Sequence, residues 1–441
     1  MRILVLPKKK LQNEDLAKIQ QMVHCQRVVK KEFLNMNAKQ ILELEAKGCF
    51  DFFWNEANND PNSPGYGLIR DNDVTQKMAS IASVGYGLSA IVIGVERGWI
   101  TREQGEERVL GTLATFWNNA EHIEGFFYHF LDMDTALKFE ANYDCASIID
   151  TAIFINGAIT AAEYFGGEIA EITKAIYERI NWSVYHDVEN NYFYMGYHEG
   201  TGGFGAWDMY AEQLMQYILG IGSPTNPVPA KIYDGFIRDL VTYDDYEFYD
   251  SPGGPLFIHQ FSHAWYDFEN TVDKDGVNWF DNSVKATLAQ RQYSKDNPRG
   301  FKTYSEKSWG ANACQGPFGY RAYGTPPFSR GHADEQDGTV APAAPAASII
   351  FTPKESIEAL EYFYNEVPQL RSKYGFLSSY NLDVEQETGH KVWVADRVIG
   401  IEKGPTLMMI DSYQNDKFIQ KLYMQNEFVK RGAELIGFKK V

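Results

Sequence analysis

The stretch MASIASVGYGLSAIVIGVER, residues 78–97, constrains the fold more than any other part of the sequence. Ala, Ser and Gly recur there among aliphatic residues, at a density that suits helices packed closely against each other, because small residues let two backbones approach. The pattern predicts a helix over 74–97. A second apolar stretch, residues 146–165, ends at Gly166-Gly167 and predicts another tightly packed helix.

Similar reasoning along the chain predicts about a dozen helices, joined by polar or glycine-rich loops. Thr101 is the expected cap of one of them, with Gln104 at the capping-box position. The other predicted helices span residues 11–34, 38–55, 101–118, 168–181, 207–220, 230–240, 278–296, 341–350, 353–367, 405–411 and 416–435.

This succession predicts an all-α fold. The chain shows no strand series typical of a parallel sheet, no dividing linker and no sequence repeat of fixed period. A dozen helices in one uninterrupted chain favour a double ring of six helix pairs, an (α/α)6 barrel, over residues 36–441, with residues 1–35 as an N-terminal helical extension. In such a ring, the loops at one end form a broad cleft.

Composition limits the classes of partner. The 441 residues are 44% apolar and 23% charged, as in ordinary globular proteins, but 15% are aromatic. The formal net charge of −18 would repel polyanions, so nucleic acid is not expected as a partner. The sequence does not indicate an oligomeric state.

Cysteine usage and the N-terminal segment bear on location. The four cysteines are far apart and form no CxxC pair, which favours free thiols in a reducing compartment. The first residues, MRILVLPKKK, contain an apolar run too short for a signal peptide, and no apolar run approaches the roughly 20 residues of a membrane span. A cytoplasmic protein with no membrane partner is therefore expected.

Residues 255–327 are the most informative stretch for function. Large aromatic residues alternate there with His259, Gln260, His263, Glu306 and Arg321, and glycines stand where the backbone would turn. A packed core does not require such a mixture. A cleft that stacks sugar rings on aromatic side chains and binds their hydroxyls does, so the stretch indicates a carbohydrate-active protein.

Many segments resemble, in order, those of the glycoamylase-like family, which is associated with the β-1,2-glucanases of glycoside hydrolase family 144. The resemblance covers about residues 50–438 and rests on segments such as FDFFWNEAN, SIASVGYGLSA, GFFYHFLD, IDTAIFINGAITAAEYFGG, LGIGSPTNP, PLFIHQFSHAWYDF, NPRGFKTYSEKSWGANACQGPFGYRAYG, DGTVAPAAPAAS and IGIEKGP. It implies an (α/α)6 barrel and hydrolysis of β-1,2-glucan or sophoro-oligosaccharides with inversion. Products would be sophorose or short oligosaccharides, and no metal or organic cofactor is implied.

Inverting hydrolysis needs a protonated carboxylic acid and a carboxylate that activates water, roughly 6.5–9.5 Å apart. Glu212 is the first choice for the acid, because it lies on an apolar stretch beside Trp207 and Tyr210 and matches the family's glutamate before the LGSPT-like turn. The alternative is an ordinary exposed glutamate on an amphipathic helix.

The general base has several candidates. Asp396 lies beside Trp393 in a loop, and Glu402, Asp144 and Asp132 compete with it. Asp144 could instead cap the following apolar helix. The family usually has a glutamate near Asp144, so this departure affects both the role of Asp144 and the substrate preference.

The sugar-binding candidates are polar or aromatic residues. His259 and His263 are four residues apart, a metal-ligand spacing, but they lack the glutamate of an HExxH motif, so hydrogen-bonding or structural roles are favoured over a metal site. The full set is His129, Asp132, Trp207, His259, Gln260, His263, Trp309, Arg321, Asp337, Trp393 and Glu402.

Three functions remain open from the sequence. The first is an inverting hydrolase of β-1,2-glucan, and the second is a hydrolase or transglycosylase of another glucoside linkage, suggested by Asp144-Cys145. The third is a sugar-binding protein of the same fold that has lost catalysis, suggested by the uncertain base.

Overall fold

The computed structural model of the protein describes residues 36–139, 144–332, 334–384 and 392–441. The extension predicted for residues 1–35, with its helix over 11–34, lies outside the described residues. Helices dominate the described part of the chain, and short antiparallel strand pairs lie in the loops between them.

The bounds of the elements are as follows. The α-helices of the described residues are α1 Ala38–Asn55, α2 Ile81–Glu96, α3 Arg102–Asn118, α4 Ile148–Phe165, α5 Gly167–Arg179, α6 Leu214–Gly222, α7 Trp279–Asp296, α8 Ala343–Ala347, α9 Pro353–Glu366, α10 Gly400–Gln414, α11 Phe418–Tyr423 and α12 Glu427–Ile436. Single turns of 3-10 helix are found at Trp182–Tyr185, Ala230–Asp234, Leu256–His259, Phe261–Ala264, Ser329–Gly331 and Pro368–Leu370. The strands are β1 Met78–Ser80, β2 His122–Ile123, β3 Phe126–Phe127, β4 Phe130–Asp132, β5 Ala146–Ser147, β6 His186–Asp187, β7 Tyr192–Phe193, β8 Gly196–His198, β9 Gly202–Phe204, β10 Asp239–Tyr243, β11 Tyr246–Asp250, β12 Thr271–Val272, β13 Ala313–Gly316, β14 Gly319–Ala322, β15 Arg371–Ser372, β16 Gly375–Phe376, β17 Tyr380–Asn381, β18 Trp393–Val394 and β19 Lys439–Lys440.

Helices with strong local end signals begin and end where the sequence predicts. The helix predicted over 38–55 matches α1 in full. At α3, Thr101 accepts a hydrogen bond from the Gln104 backbone while the Gln104 side chain bonds back to Thr101, which confirms the capping box. Gly166 ends α4 with a φ of 71°, a conformation that glycine adopts without strain.

Several helix predictions are wrong in extent or type. The helix predicted over 74–97 begins seven residues later, at Ile81, after strand β1. The helix predicted over 207–220 begins seven residues later, at Leu214. The helix predicted over 230–240 is a 3-10 turn followed by β10, whose Val241 and Thr242 are β-branched and favour a strand paired with β11. The helix predicted over 416–435 is divided into α11 and α12, because Asn426 caps a new helix.

Buried helices alternate with amphipathic ones along the chain. Helices α2, α4, α6 and α10 are buried over nearly their whole length, whereas α1, α3, α5 and α9 bury one face. The buried helices contact each other in chain order, α2 with α4 and α4 with α6. Helix α10 contacts α8, the Phe261–Ala264 turn and also α2, so the last buried helix meets the first.

The closest approach in this core is between α2 and α4. A Cβ added at Gly157 would lie 1.9 Å from the carbonyl oxygen of Gly85, and one added at Gly85 would lie 2.4 Å from that of Ile153. Backbone therefore packs directly on backbone, as the small residues of 78–97 predict. Helix α4 is also long and apolar enough to span a membrane, but 78% of it is buried inside the protein, as in the core helix of a globular domain.

Replacing Gly157 by Ala is expected to lower the free energy of unfolding by about 2 kcal/mol, because the added methyl group would overlap the Gly85 carbonyl. In an uncrowded helix the same change would raise stability by roughly 1 kcal/mol, so the sign of the effect is informative. Urea unfolding followed by circular dichroism measures it.

Gly105→Ala in α3 is the matched control, since the three nearest neighbours of its added Cβ are side-chain atoms, the closest being Val95 Cγ2 at 2.9 Å. A Gly157→Ala protein at least as stable as the wild type would contradict the close crossing.

Candidate active site

A cavity of about 660 Å³ lies where the N-terminal ends of the buried helices meet. Ser80, the cap of α2, lines it, as do Asp150 in the first turn of α4 and Glu402 in the first turn of α10. Ala343 of α8 and Phe261 of the Phe261–Ala264 turn complete this end. The volume is in the range of small-ligand sites.

The wall of the cavity combines apolar and aromatic surface with convergent polar groups, as a sugar site requires. The apolar part is formed by Met78, Phe130, Ile149, Phe257, Phe261, Ala313, Tyr320, Ala343, Ala347, Ile399, Ile401 and Pro405. The polar part is formed by Asp71, Asn72, Thr75, Ser80, His129, Asp150, Glu212, Gln260, Asn312, Gln315, Arg397 and Glu402.

Glu212 faces this cavity from the turn before α6, not from within a helix as the sequence predicted. Its backbone is fixed by Ser262, whose hydroxyl donates to the Glu212 carbonyl at 2.6 Å and accepts from the Met215 amide at 3.1 Å. Burial raises the pKa of Glu212 to about 7, and the nearby charge of Asp150 acts in the same direction. About half of the Glu212 carboxyl groups are therefore protonated at pH 7, which makes a general acid available near neutral pH.

Glu402 is the second cavity carboxyl with a strongly raised pKa. It is 5% exposed, and burial raises its pKa to about 8 although Ser378 donates to Oε1 at 2.6 Å. Lys403 lies next to it, but its ammonium is engaged by Glu45 at 2.9 Å. Glu402 is therefore mostly neutral at pH 7, which does not suit a general base but allows it to donate a hydrogen bond to a sugar hydroxyl.

Sequence reasoning missed Asp71 and Arg397 as cavity residues. Burial raises the pKa of Asp71, while His129 and Arg397 oppose this. Asp150 accepts from Ser147 and lies 3.8 Å from His129 Nε2. The only sequence signal for Asp71 was its place in the acidic segment DND at residues 71–73. The position of this segment beside the cavity depends on contacts with residues distant in sequence.

Asp396 does not line the cavity, whereas its neighbour Arg397 does. The side chain of Asp396 is 67% exposed and accepts two hydrogen bonds from Arg397, at 2.7 and 3.2 Å. The bonds from Arg397 lower the pKa of Asp396, so it stays ionised across the neutral range. The pKa of Asp396 is thus lowered, whereas that of Glu212 is raised.

The remaining two candidates for the base lie outside the residues that line the cavity. Ser147, not Asp144, is the cap of α4, which overturns the capping role suggested for Asp144. Asp144 accepts the Cys145 amide at 2.9 Å, and burial raises its pKa to about 6. Asp132 accepts the Thr135 amide at 2.9 Å and stabilises a turn.

Of the predicted sugar-binding residues, His129, Gln260 and Glu402 line the cavity. His259 and His263 lie in the core on separate 3-10 turns, and burial lowers the pKa of each to about 3, so both are neutral. Those that do not line the cavity are Asp132, Trp207, His259, His263, Trp309, Arg321, Asp337 and Trp393.

The described residues contain no group of three or more His, Cys, Asp or Glu side chains able to hold a metal ion. His263 Nε2 is 3.1 Å from the Ser283 hydroxyl, and His259 Nδ1 is 3.4 Å from that of Tyr210. Both histidines are therefore engaged in side-chain hydrogen bonds within the core.

Comparison with known proteins finds consistent similarities. The Glycoamylase family model, described as "putative glucoamylase", matches residues 205–427, about half of the chain. A curated relative from Parabacteroides distasonis, an exo β-1,2-glucooligosaccharide sophorohydrolase acting at the non-reducing end, is 28% identical over 91% of this chain. The chain spans 58% of that relative's length.

Solved structures share the fold over nearly the whole chain. A structure of a "putative glucoamylase" from Bacteroides uniformis is 28% identical, with a TM-score of 0.82 over 92% of this chain and 98% of that one. The endo-β-1,2-glucanase from Chitinophaga pinensis, solved with sophorotriose and glucose, is 25% identical, with a TM-score of 0.81 over 92% and 99%.

The buried carboxyl Glu402 generates a prediction about stability and pH. Because its pKa rises from an ordinary 4.5 to about 8 in the folded state, the folded protein holds a proton that the unfolded chain releases, and stability falls as pH rises through this window. Glu402→Gln removes this loss. Its unfolding free energy relative to wild type should increase by roughly 3 kcal/mol between pH 5 and pH 8.

Glu103→Gln is the control, because hydrogen bonding at the start of α3 lowers the pKa of that exposed carboxyl. Ionised Glu103 stabilises the folded protein at higher pH, and this effect is lost as pH falls through the lowered pKa. Below pH 4.5, the unfolding free energy of Glu103→Gln relative to wild type should therefore decrease as pH rises, which is the opposite of the trend for Glu402→Gln. Urea unfolding at a series of pH values measures both, and a Glu402→Gln difference independent of pH would show that Glu402 is ionised in the folded protein.

Proposed function

The chain belongs to the Glycoamylase family, and from this premise and the cavity we propose that it is an inverting glycoside hydrolase of β-1,2-linked glucose chains. The observation that carries the proposal is Glu212, a carboxyl group in the wall of a cavity of sugar-binding size whose pKa is raised by burial to about 7. Two of the relatives named above, from Parabacteroides distasonis and Chitinophaga pinensis, are named as enzymes of β-1,2-glucan or its oligosaccharides, which supports the same linkage for this chain.

The proposed architecture is an (α/α)6 barrel formed as one domain by residues 36–441. Three observations support it: buried and amphipathic helices alternate, the buried helices contact each other in chain order, and α10 meets α2. The N-terminal ends of the buried segments meet at the cavity, which is where a barrel of this type would place its cleft.

Glu212 is the proposed general acid. Protonation of the oxygen between two glucosyl units lets the bond from that oxygen to the anomeric carbon break without forming an alkoxide. Glu402 has a similarly raised pKa, but its carboxyl is 5% exposed and is bonded to Ser378, so it has less access to a substrate oxygen. Glu402 is assigned to binding a sugar hydroxyl.

Asp396 is the proposed general base. Its task is to take a proton from the water that attacks the anomeric carbon, which requires an ionised carboxylate. Arg397 keeps Asp396 ionised and itself lines the cavity, so the proposed base is bonded to a cavity residue although it does not line the cavity in this structure. The pKa values of the two proposed catalytic carboxyls are thus shifted apart, as acid and base roles require.

Purified protein incubated with β-1,2-glucan or sophoro-oligosaccharides is expected to release sophorose or short oligosaccharides, seen by thin-layer chromatography. Because the bond is cleaved with inversion, the new reducing end should appear first as the α-anomer in the proton NMR spectrum. Glu212→Gln should lower kcat/KM by roughly 10³-fold or more, and wild-type kcat/KM should fall above about pH 7 as Glu212 loses its proton.

A panel of β-1,3-, β-1,4- and β-1,6-linked glucans serves as the control for linkage, and the product ladder distinguishes cleavage at a chain end from internal cleavage. Turnover of another linkage in preference to β-1,2-glucan would overturn the substrate assignment. If the wild-type protein binds β-1,2-glucan but releases no products, it would be a sugar-binding protein of the same fold without catalytic activity.

Asp396→Asn should lower kcat on β-1,2-glucan by roughly 10²–10⁴-fold with little change in KM, because it removes a group needed in the transition state. Azide attacks without a general base, so added azide should partly restore cleavage by this variant and should not restore Glu212→Gln. Asp71→Asn and Asp150→Asn are the comparison variants. If one of them loses activity and regains it with azide while Asp396→Asn stays active, the base is that cavity aspartate.

A further inference from the structure

The hairpin formed by β13 and β14 extends over the candidate active site. Ala313 and Gln315 of β13 and Tyr320 of β14 line the cavity, and Gln315 pairs with Tyr320 across the hairpin. The charges of Glu402, Asp71 and Glu212 all act on the Tyr320 phenol. Tyr320 therefore lies in the cavity wall near these carboxyl groups, and the residue as a whole is 54% exposed.

The first strand of this hairpin is fixed to the cavity wall close to the turn, at Gln315. The Ser378 hydroxyl accepts from the Gln315 amide at 3.0 Å and donates to Glu402 Oε1 at 2.6 Å. The Ser379 hydroxyl donates to the Gln315 carbonyl. Three neighbouring hydrogen bonds thus hold the hairpin in one position relative to a cavity carboxyl.

The tip of the hairpin carries Phe318, which is 64% exposed and is among the most exposed large apolar side chains of the described residues. It lies in the two-residue turn between β13 and β14, two residues before Tyr320. Arg321 lies beside it, with the guanidinium carbon 6.0 Å from the ring centroid. The hairpin thus carries one aromatic residue, Tyr320, in the cavity wall and another, Phe318, exposed at its turn outside the cavity lining.

We propose that Phe318 is an outer sugar-binding platform, on which a glucosyl unit of the β-1,2-glucan chain stacks outside the cavity. The assignment rests on the proposed function. It follows from the position of exposed Phe318 at the turn of a hairpin whose strands line the cavity, since the aromatic face of a solvent-facing side chain suits the apolar face of a glucose ring. Contact outside the cavity is made equally in the ground and transition states, so Phe318 should act on KM for chains long enough to reach it.

The test measures kcat and KM of the full chain on purified sophoro-oligosaccharides of increasing length. For Phe318→Ala, KM should rise roughly 3- to 10-fold on oligosaccharides above a threshold length and stay unchanged below it, with kcat unchanged throughout. Phe318→Trp should retain the low KM because it keeps an aromatic face. Phe318→Leu should resemble Phe318→Ala because it keeps apolar bulk without a ring.

Tyr413→Ala is the matched control. Tyr413 is 44% exposed and lies at the far end of α10 from Glu402, about 16 Å away at 1.5 Å per residue. This variant should show wild-type KM at every length. Unchanged thermal unfolding of Phe318→Ala and Tyr413→Ala excludes a folding defect.

The outcomes separate this inference from the proposed function. If wild type does not cleave β-1,2-glucan, the proposed function fails. If wild type cleaves it but Phe318→Ala has the wild-type KM at every substrate length, the platform is overturned. The platform is also overturned if Phe318→Ala raises KM as much for the shortest substrate as for the longest. A wild-type dimer in size-exclusion chromatography that Phe318→Ala dissociates would show instead that a second copy covers the ring.

Discussion

The direct contact between the backbones of α2 and α4 at Gly85 and Gly157 is the constraint on which the site depends. It places the two helices side by side, and both begin in the same way, from a short strand ending in a serine cap, at Ser80 and Ser147. Helix α10 is held to α2 in a similar manner, because a Cβ at Gly404 would overlap the ring of Tyr86. Close crossings therefore bring three helix N-termini to one end of the core.

This arrangement sets two electrostatic effects against each other. Helix N-termini carry a partial positive charge, which favours carboxylates, whereas burial among packed helices favours the neutral acid. Burial prevails at Glu212 and Glu402, whose pKa values are raised to about 7 and about 8. At Asp396, exposure and the bonds from Arg397 give the opposite result. One end of the fold thus holds carboxyl groups in both protonation states at the same pH.

Much of the helical pattern and part of the candidate site could be predicted from the sequence. Helices α1 and α3 were predictable because their caps are local, and Glu212 because an apolar neighbourhood surrounds it. Asp71 was not, since its place depends on a hydrogen bond from the Gly400 amide to its carbonyl, at 2.7 Å, between residues far apart in sequence. His259 shows the converse: a polar side chain in an aromatic segment can equally pack in the core.

The hydrogen-bond pattern around Ser378 determines where the proton of neutral Glu402 resides. A hydroxyl has one proton, and that of Ser378 is donated to Glu402 Oε1, so a lone pair remains for the Gln315 amide. Since Oε1 accepts, the acid proton of Glu402 belongs on Oε2, where it is free to be donated to a sugar hydroxyl. Ionisation of Glu402 above its pKa would leave both bonds of Ser378 intact and remove that donor. The hairpin that carries Tyr320 and Phe318 would therefore keep its position while the cavity lost a contact to substrate.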